Sequence, residues 1–327
     1  MELNIDSLDY NYGLLIKALL RRGVDLKCIG DTPMILADFS GQNELLFDST
    51  FSKTDYTSAW IASDKFYSKK FLEFAGIPTP VGGVFREIDV KKICEYAAKV
   101  GYPVVLKPLT SSHGFLVFPH IDSSYELEKA INFFRKSCQK DEVVLVEKYF
   151  SGQEYRLFVT RKGFFAVVNR IPANVTGDGL LSIKELIERE NFRRMNPRAN
   201  CLCTIKIDDV LSSYLEKQSK SLNFVPKKDE NVQLRLSSNV AMGGNCFDVT
   251  DLAHDSVKQL AFDILYKLPG LKYVGVDLLC EDISKSLDSQ KYSVCELNCV
   301  PGLSLHTVPE RGFSRDSPGA LVDIILD

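Results

Sequence analysis

The sequence predicts an α+β protein that is divided into two or three lobes. A chain of 327 residues can bury a sizeable core and is long enough for more than one lobe. Amphipathic helical patterns alternate with short, β-branched apolar runs along most of its length. Two of these runs, residues 273–279 and 292–297, flank a polar connector, a pattern typical of an antiparallel pair of strands.

The composition argues against several classes of function. Hydrophobic residues make up 45%, charged residues 25%, and the formal net charge is −3, so nothing indicates a nucleic-acid or membrane partner. No apolar run approaches the roughly 18 residues that span a bilayer. The N-terminus lacks the pattern of a signal peptide, and the nine cysteines form no C-x-x-C pair. We therefore expect a cytoplasmic protein with free thiols.

Residues 1–62 are predicted to form a small N-terminal α/β lobe. A helical pattern covers residues 11–22 and ends at Gly23, and three short strand-like pieces follow at 24–29, 34–38 and 44–47. The sequence contains neither G-x-G-x-x-G nor G-x-x-x-x-G-K-[ST]. The chain therefore lacks the phosphate-binding residues of Rossmann and P-loop proteins.

Residues 63–155 are predicted to form a second lobe. Ser63 is expected to cap a helix that ends at Gly76, and a further amphipathic helix is expected over residues 90–100. A strand, a small-residue turn, a strand, a helix that begins with a Ser123–Glu126 capping box, and another strand complete the pattern.

Two lysines and the turn of this lobe are candidate phosphate ligands. Lys65 lies in the first turn of its helix, where a cation opposes the helix dipole, although a solvated surface lysine is the better explanation of this residue alone. Lys107 ends an apolar strand, and a lysine in a buried strand is uncommon unless it is paired. The turn Ser111–Gly114 carries backbone N–H groups that could surround a phosphate.

Residues 156–327 are predicted to form the remaining core, with an inserted helical subdomain at 172–235. In this insert we expect a loop over IPANVTGDG, a helix capped by Ser182 and Glu185, and a strand over CTIKI. Its Arg193, Arg194 and Arg198 would orient an acidic substrate or simply lie in a solvated loop, or the insert would dock another protein. A long helix is predicted from residue 251 to residue 268.

The predicted strand pair near the C-terminus carries a candidate metal site. Asp277 interrupts the first apolar run, and Glu296 and Asn298 end the second. Positions 296 and 298 are two apart and therefore share one face of a strand. Carboxylate and amide oxygens are the ligands that Mg²⁺ prefers. A magnesium site is favoured over the alternative, a solvated sheet edge.

Taken together, these motifs resemble the ATP-grasp superfamily of carboxylate–amine ligases, and in particular the ATP-grasp region of cyanophycin synthetases and fused glutathione synthetases. The resemblance covers nearly the whole chain and rests on ten segments that occur in one order: TSAWIASDK, GIPTPVGGVF, GYPVVLKP, VEKYFSGQEYRLFV, NRIPANVTGDG, NPRAN, TIKID, LRLSSNVAMGGNCFDVTD, YVGVDLLC and CELNCVPGL. It implies an ATP-grasp fold, with the nucleotide held between two α+β lobes.

The resemblance also implies roles for individual residues. The matches are Lys65, Lys107 and the lid turn of Ser111, Ser112, His113 and Gly114 for the ATP phosphates, Glu147, Lys148 and the backbone near Phe150 for the adenine, Glu154 for the ribose, Arg170 for the γ-phosphate, and Asp277, Glu296 and Asn298 for Mg²⁺. Lys107 and Arg170 would act in catalysis. The resemblance assigns Arg235 and Asn239 to substrate. From their positions in the sequence, Arg198 and His306 are further substrate candidates, although a structural hydrogen bond is the better explanation of His306.

The implied reaction is the ATP-dependent formation of an amide bond through an acylphosphate, with ADP and phosphate released. ATP and Mg²⁺, for which Mn²⁺ can substitute, are the expected cofactors, and the partners are amino-acid-like substrates. The additional domains of the fused relatives are absent, so we expect a stand-alone ligase that forms one amide bond, with homo-oligomerisation left open. The lid turn contains one glycine where relatives often have two, which bears on its mobility. The alternative is a non-catalytic ATP-binding sensor or scaffold.

Overall fold

The structure is a computed structural model that describes residues 4–86, 88–109, 116–137, 143–195 and 202–327. The chain divides into two compact units, each assembled from separate stretches of sequence. Unit 1 comprises Met1–Pro78, Tyr155–Asn169 and Phe247–Asp327, and unit 2 comprises Thr79–Glu154 and Arg170–Cys246. The sequence, in contrast, predicts lobes that are contiguous along the chain.

Helices and strands are interspersed throughout the part of the chain that the structure describes. The helices are α1 (Tyr10–Arg21), α2 (Tyr56–Ser63), α3 (Lys65–Phe74), α4 (Val90–Val100), α5 (Ser124–Ser137), α6 (Ile183–Arg194), α7 (Asp209–Lys217), α8 (Asp255–Lys267), α9 (Leu303–Thr307) and α10 (Ser317–Ile325). None of these helices combines the length and the hydrophobicity that crossing a membrane requires.

Among the described residues the strands form four sheets. They are β1 (Asp25–Cys28), β2 (Ile35–Phe39), β3 (Gln42–Phe47), β4 (Thr50–Phe51), β5 (Gly82–Phe85), β6 (Val104–Pro108), β7 (Phe118–Ile121), β8 (Val144–Lys148), β9 (Gln153–Thr160), β10 (Phe165–Ile171), β11 (Asn174–Thr176), β12 (Asn231–Gln233), β13 (Asn245–Asp248), β14 (Tyr273–Cys280) and β15 (Tyr292–Asn298). The mixture of helices and antiparallel sheets confirms the predicted α+β class.

Unit 1 contains most of a five-stranded sheet of order β13-β10-β9-β14-β15 and a four-stranded antiparallel sheet of order β1-β2-β3-β4. Strand β14 is buried at seven of its eight positions, as expected for a near-continuous apolar run in the middle of a core. Helices α2, α3 and α8 supply apolar side chains to this core, and α1 and α10 pack with the four-stranded sheet.

Unit 2 contains the antiparallel sheet β5-β8-β6-β7, against which α4 and α5 pack. It also contains the two-stranded sheet β11-β12, which shares a separate small core with α6 and α7. The stretch predicted as an inserted subdomain therefore has a core of its own.

Several helix boundaries agree with the sequence, whereas the cap of α3 was predicted wrongly. Helix α1 ends before Gly23, which has a positive φ of 74°, and α4 spans the predicted residues. Asp64 caps α3, because its side chain accepts hydrogen bonds from the backbone N–H groups of Phe66 and Tyr67. Ser63 instead ends α2 and donates its hydroxyl hydrogen to the carbonyl of Ala59 at 2.8 Å.

Three further local predictions are wrong. The predicted loop IPANVTGDG contains β11, which pairs with β12, and the segment CTIKI, residues 203–207, forms no strand. The helix predicted from Asp251 begins at Asp255, because Thr250–Leu252 forms a separate 3-10 turn and the His254 side chain caps α8. Strand β11 forms because it pairs with a distant segment, and α8 begins later than predicted because a local side chain caps it at His254.

Candidate functional site

The hairpin of β14 and β15 brings the three predicted metal ligands onto one face. In the antiparallel register Asp277 lies opposite Glu296, and Gly275 lies opposite Asn298. The register shifts immediately after Asp277, so that Cys295 forms a bulge beside the two carboxylates. Side chains of directly opposed residues share a face of the sheet, as do residues two apart. Two carboxylates and an amide therefore line this part of the hairpin.

Arg156 is a member of this cluster that the sequence did not identify. It lies on β9, and its Nε and Nη2 atoms donate to the two oxygens of Asp277, the second at 3.2 Å. Both residues are only 7% exposed. A buried carboxylate needs such a partner, because an unpaired charge is costly away from water. An arginine in the middle of an otherwise apolar strand was the only signal available in the sequence.

Lys65 belongs to the same cluster. It is the first residue of α3, and its Nζ lies 3.4 Å from Oε1 of Glu296. The junction of α2 and α3 is tied to β15 a second time, by the 2.7 Å contact between the Ser63 hydroxyl and the Cys299 thiol. The two contacts hold the lysine beside the end of the β14–β15 hairpin.

The chemistry of the hairpin fits a hard divalent cation that is shared with another ligand. Within the described ranges no group of three or more His, Cys, Asp and Glu side chains is arranged to hold a metal ion. Asp277, Glu296 and Asn298 supply oxygen donors only, and the Asn298 side-chain oxygen already accepts the Val300 N–H at 2.8 Å. A cation held by so few protein oxygens keeps positions for phosphate or water, as Mg²⁺ usually does.

In unit 2, Lys107 and Glu147 form a buried ion pair. Strands β6 and β8 are antiparallel neighbours, with Val105 opposite Glu147, so Lys107 reaches Glu147 diagonally across the same face. The distance between Lys107 Nζ and Glu147 Oε2 is 2.6 Å, and the two side chains are 12% and 4% exposed. Two predicted nucleotide residues thus lie in direct contact.

Gly82 makes room for this ion pair. It lies on β5 opposite Glu147, and a Cβ atom at this position would lie 2.7 Å from Cγ of Glu147 and 3.0 Å from the carbonyl oxygen of Val146. Real Cβ atoms essentially never lie 2.7 Å from another atom, and the Val146 backbone leaves the added Cβ little room to move away from Glu147. Only glycine fits here without displacing Glu147.

We expect Gly82→Ala to weaken ATP binding and to lower the unfolding temperature, because Glu147 must move away from Lys107. The control is Gly13→Ala in α1, where the nearest atom to the added Cβ is an ordinary contact at 3.4 Å. Calorimetric titration with ATP and thermal unfolding measure the two effects. Equal ATP affinity in both variants would contradict this role of Gly82.

Lys148 is engaged in structural hydrogen bonds through its side chain. Its Nζ donates to the carbonyls of Gly101 and Tyr102, at 2.9 and 2.8 Å, and thereby ties β8 to the end of α4. Tyr149 follows, packed edge to face against the ring of His120, and burial raises the pKa of Tyr149. Phe150 lies just after the strand and is half-buried. Adenine recognition by this stretch stays a prediction.

Glu154 and Arg170, at neighbouring positions of β9 and β10, form a third ion pair. The Arg170 Nη2 donates to Oε1 of Glu154, and the buried hydroxyl of Ser238 donates to its other oxygen. The Arg170 side chain is 11% exposed and that of Glu154 is 31% exposed. The predicted ribose ligand and the predicted γ-phosphate ligand therefore lie in contact.

Two of the predicted substrate residues have structural partners. Arg235 is buried, and its Nη2 donates to the Asp208 carboxylate at 2.7 Å and to the Lys206 carbonyl at 2.8 Å. The Asn239 side chain accepts the Ala241 N–H at 2.8 Å and so starts a 3-10 turn. Their assignment to substrate stays a prediction.

Of the remaining predicted substrate and lid residues, the structure describes only His306. His306 is fully buried in unit 1, and its ring lies 5.8 Å from that of Phe158, so its assignment to substrate likewise stays a prediction. Arg198 and the lid residues Ser111, Ser112, His113 and Gly114 lie outside the described residues.

Arg194, one of the arginines considered for an acidic substrate, serves the fold of unit 2. Its side chain is fully buried and donates to Glu190, to Asn245 and to the carbonyls of Cys203 and Gly243, at 2.6 to 2.8 Å. Burial alone would raise the pKa of Glu190, but hydrogen bonds from the neighbouring arginines outweigh it and lower this pKa. The guanidinium has several partners that would be left unsatisfied by its loss.

We expect Arg194→Met to lower the free energy of unfolding by about 3 kcal/mol, because it strips a buried set of acceptors of their donor. Arg193→Met is the matched control, since the Arg193 side chain is 47% exposed and also pairs with Glu190. Urea unfolding followed by circular dichroism measures both. Similar values for the two variants would show that Arg194 does not hold this region together.

Comparison with known proteins shows which proteins this chain resembles. The chain is 34% identical to the cyanophycin synthetase of Geminocystis herdmanii over 290 residues, which are 88% of this chain and 33% of that protein. It is 32% identical to the bifunctional glutathione biosynthesis protein of Enterococcus faecalis over 305 residues, 90% of this chain and 40% of that protein. The chain thus spans about a third to two fifths of the length of these relatives. No family model matches it.

A solved structure extends the likeness to the fold. The bifunctional glutathione synthetase from Pasteurella multocida matches 98% of this chain and 44% of its own, with a TM-score of 0.69 and 27% identity. This agreement confirms the predicted fold. The chain has the ATP-grasp fold, and the relatives that it resembles are ligases of the ATP-grasp superfamily. Its relatives are the corresponding regions of cyanophycin synthetases and bifunctional glutathione synthetases.

Proposed function

We propose that this protein is an ATP-dependent ligase that joins the carboxylate of an amino acid or a small peptide-like molecule to an amine. A carboxylate oxygen attacks the γ-phosphorus of ATP, the bond from that phosphorus to the bridging oxygen breaks, and ADP leaves. The amine nitrogen then attacks the acyl carbon of the acylphosphate, loses a proton and expels phosphate. An amide bond is the product.

The observation that carries the proposal is the cluster on the β14–β15 hairpin. Asp277 and Glu296 oppose each other, Asn298 lies on the same face, and Lys65 lies beside Glu296. Oxygen ligands next to a lysine suit a metal-bound polyphosphate. The three oxygen donors would hold Mg²⁺, with Mn²⁺ as a substitute. When bound, the cation neutralises charge on the phosphates of ATP.

The remaining candidate residues would bind and orient the nucleotide. Lys107 would donate to the ATP phosphates, and Glu147 would keep its ammonium group oriented through their 2.6 Å contact. Arg170 would neutralise charge that develops on the transferred phosphoryl group, and Glu154 would accept hydrogen bonds from the ribose. Phosphoryl transfer of this kind depends on positioning and charge stabilisation, and requires no nucleophile from the protein.

The alternative function, a non-catalytic ATP-binding sensor or scaffold, is not favoured. A protein that only binds nucleotide could tolerate the loss of the lysine, the two opposed carboxylates and the amide, which this cluster retains. Calorimetric binding of ATP without ADP formation across a broad substrate screen would support this alternative over the ligase.

A screen of ADP release tests the proposed function. The protein is incubated with ATP, Mg²⁺ and pairs of amino acids or dipeptides, ADP is measured, and the mass of each product is determined. We expect ADP to form in equal amounts with a product whose mass is the sum of both substrates less one water. ADP release that is the same with every pair would contradict the proposal.

A further inference from the structure

We propose that Arg156 and Lys65 are built-in counter-ions of the metal hairpin, so that the site takes up a divalent cation together with a nucleotide and not by itself. The proposal rests on the proposed function of the hairpin and adds how its metal binding is controlled. Each carboxylate of the site has a cationic side chain as its partner, Arg156 for Asp277 and Lys65 for Glu296. The attraction for a lone cation is thereby reduced.

Arg156 is the permanent counter-ion. Its guanidinium contacts both oxygens of Asp277, and both side chains are only 9% exposed. Removing either partner would leave a buried charge, which typically costs a protein several kcal/mol. Each carboxylate oxygen has a second lone pair, so Asp277 can accept a guanidinium and still offer one oxygen to a cation. Arg156 therefore stays in place, and its positive charge weakens the attraction of Asp277 for a cation.

Lys65 is the exchangeable counter-ion. The 3.4 Å separation of its Nζ from Glu296 Oε1 is longer than an ordinary charged hydrogen bond, and the Glu296 side chain is 33% exposed. A flexible ammonium group can turn to a new anion without a change in the backbone. When a nucleotide brings phosphate charge to the hairpin, Lys65 would move to the phosphate and release Glu296 to act as a metal ligand.

The charges predict how the site responds to metal alone. Two carboxylates balanced by two cations, plus one neutral amide, give no excess of negative charge to draw in a divalent ion. A nucleotide supplies the missing negative charge through its phosphates. We therefore expect Mn²⁺ without nucleotide to bind with a dissociation constant on the order of 1 mM or weaker, the range of weak oxygen-ligand sites.

The test measures Mn²⁺ binding by electron paramagnetic resonance, which reports the unbound ion, on the full chain with and without a non-hydrolysable ATP analogue. We expect the wild-type protein to bind Mn²⁺ tightly only with the analogue. Lys65→Met and Arg156→Met should each tighten binding of Mn²⁺ alone by at least about tenfold, because each removes a positive charge next to the ligands. Arg156→Lys keeps the charge and should bind Mn²⁺ alone as weakly as the wild type.

Lys70→Met is the matched control. Lys70 lies on the same helix as Lys65, but it pairs with Glu73 of that helix and not with a residue of the hairpin. Should Arg156→Met fail to fold, Lys65→Met decides, because the contact between Lys65 and Glu296 is longer and more exposed than that between Arg156 and Asp277. Tight binding of Mn²⁺ alone to the wild type, or unchanged affinity in Lys65→Met, overturns the counter-ion proposal while leaving the ligase possible. If the analogue fails to promote Mn²⁺ binding to the wild type, the proposed function and this inference both fail.

Discussion

Asp277→Asn is expected to reduce turnover of ATP by at least about a hundredfold, the effect of removing one preorganised charge-stabilising group. The amide keeps the shape of the side chain but removes the negative charge that attracts the cation and pairs with Arg156. Because Arg156 is buried, its loss of an anionic partner should also lower the free energy of unfolding by about 1–3 kcal/mol. Steady-state ADP release and thermal unfolding measure the two consequences.

Glu296→Gln separates these effects. Glu296 is partly exposed, and its contact with Lys65 is 3.4 Å long, so its replacement should reduce turnover as strongly while leaving stability nearly unchanged. The control is Glu281→Gln, at an exposed carboxylate directly after β14. Turnover in Asp277→Asn that matches this control would show that the hairpin has no part in the reaction.

Lys107→Met is expected to reduce turnover by about a hundredfold or more and to destabilise unit 2. The substitution removes a proposed phosphate donor. It also leaves Glu147, whose side chain is 4% exposed, without the ammonium group that lies 2.6 Å away. Taking one partner from a buried pair typically costs about 3–5 kcal/mol. ADP release and urea unfolding are the measurements.

A second substitution distinguishes the two causes. In Lys107→Met combined with Glu147→Gln the buried carboxylate is also gone, so stability should recover while turnover stays low. Lys99→Met is the control, because Lys99 is an exposed lysine in the last turn of α4. Recovery of turnover along with stability in the double variant would mean that Lys107 has only a structural role.

The features that could be predicted from the sequence are those set by local pattern. The hairpin of β14 and β15 was predicted because two β-branched runs flank a polar connector, and alternation places Glu296 and Asn298 on one face. Helix α1 is predicted from its apolar spacing and from Gly23, which follows it with a positive φ, and α4 is predicted from its apolar spacing alone.

The features that escaped prediction depend on partners far along the chain. Arg156 contacts Asp277 across 121 residues, and β11 pairs with a strand more than fifty residues later. A single sequence does not identify the distant partner in such pairings, since either segment alone is compatible with a loop or an edge. The Ser63–Asp64 boundary failed for a different reason, because both residue types cap helices and only the hydrogen bonds distinguish them.

The most direct measurement of the central claim is the transfer of oxygen-18 from the carboxylate substrate to phosphate. With a substrate pair identified by ADP release, the carboxylate is labelled with oxygen-18, and the phosphate that is released is analysed by mass spectrometry. If the carboxylate attacks the γ-phosphorus of ATP, each molecule of phosphate should contain one labelled oxygen. Phosphate without the label would contradict an acylphosphate and, with it, the proposed ligase reaction.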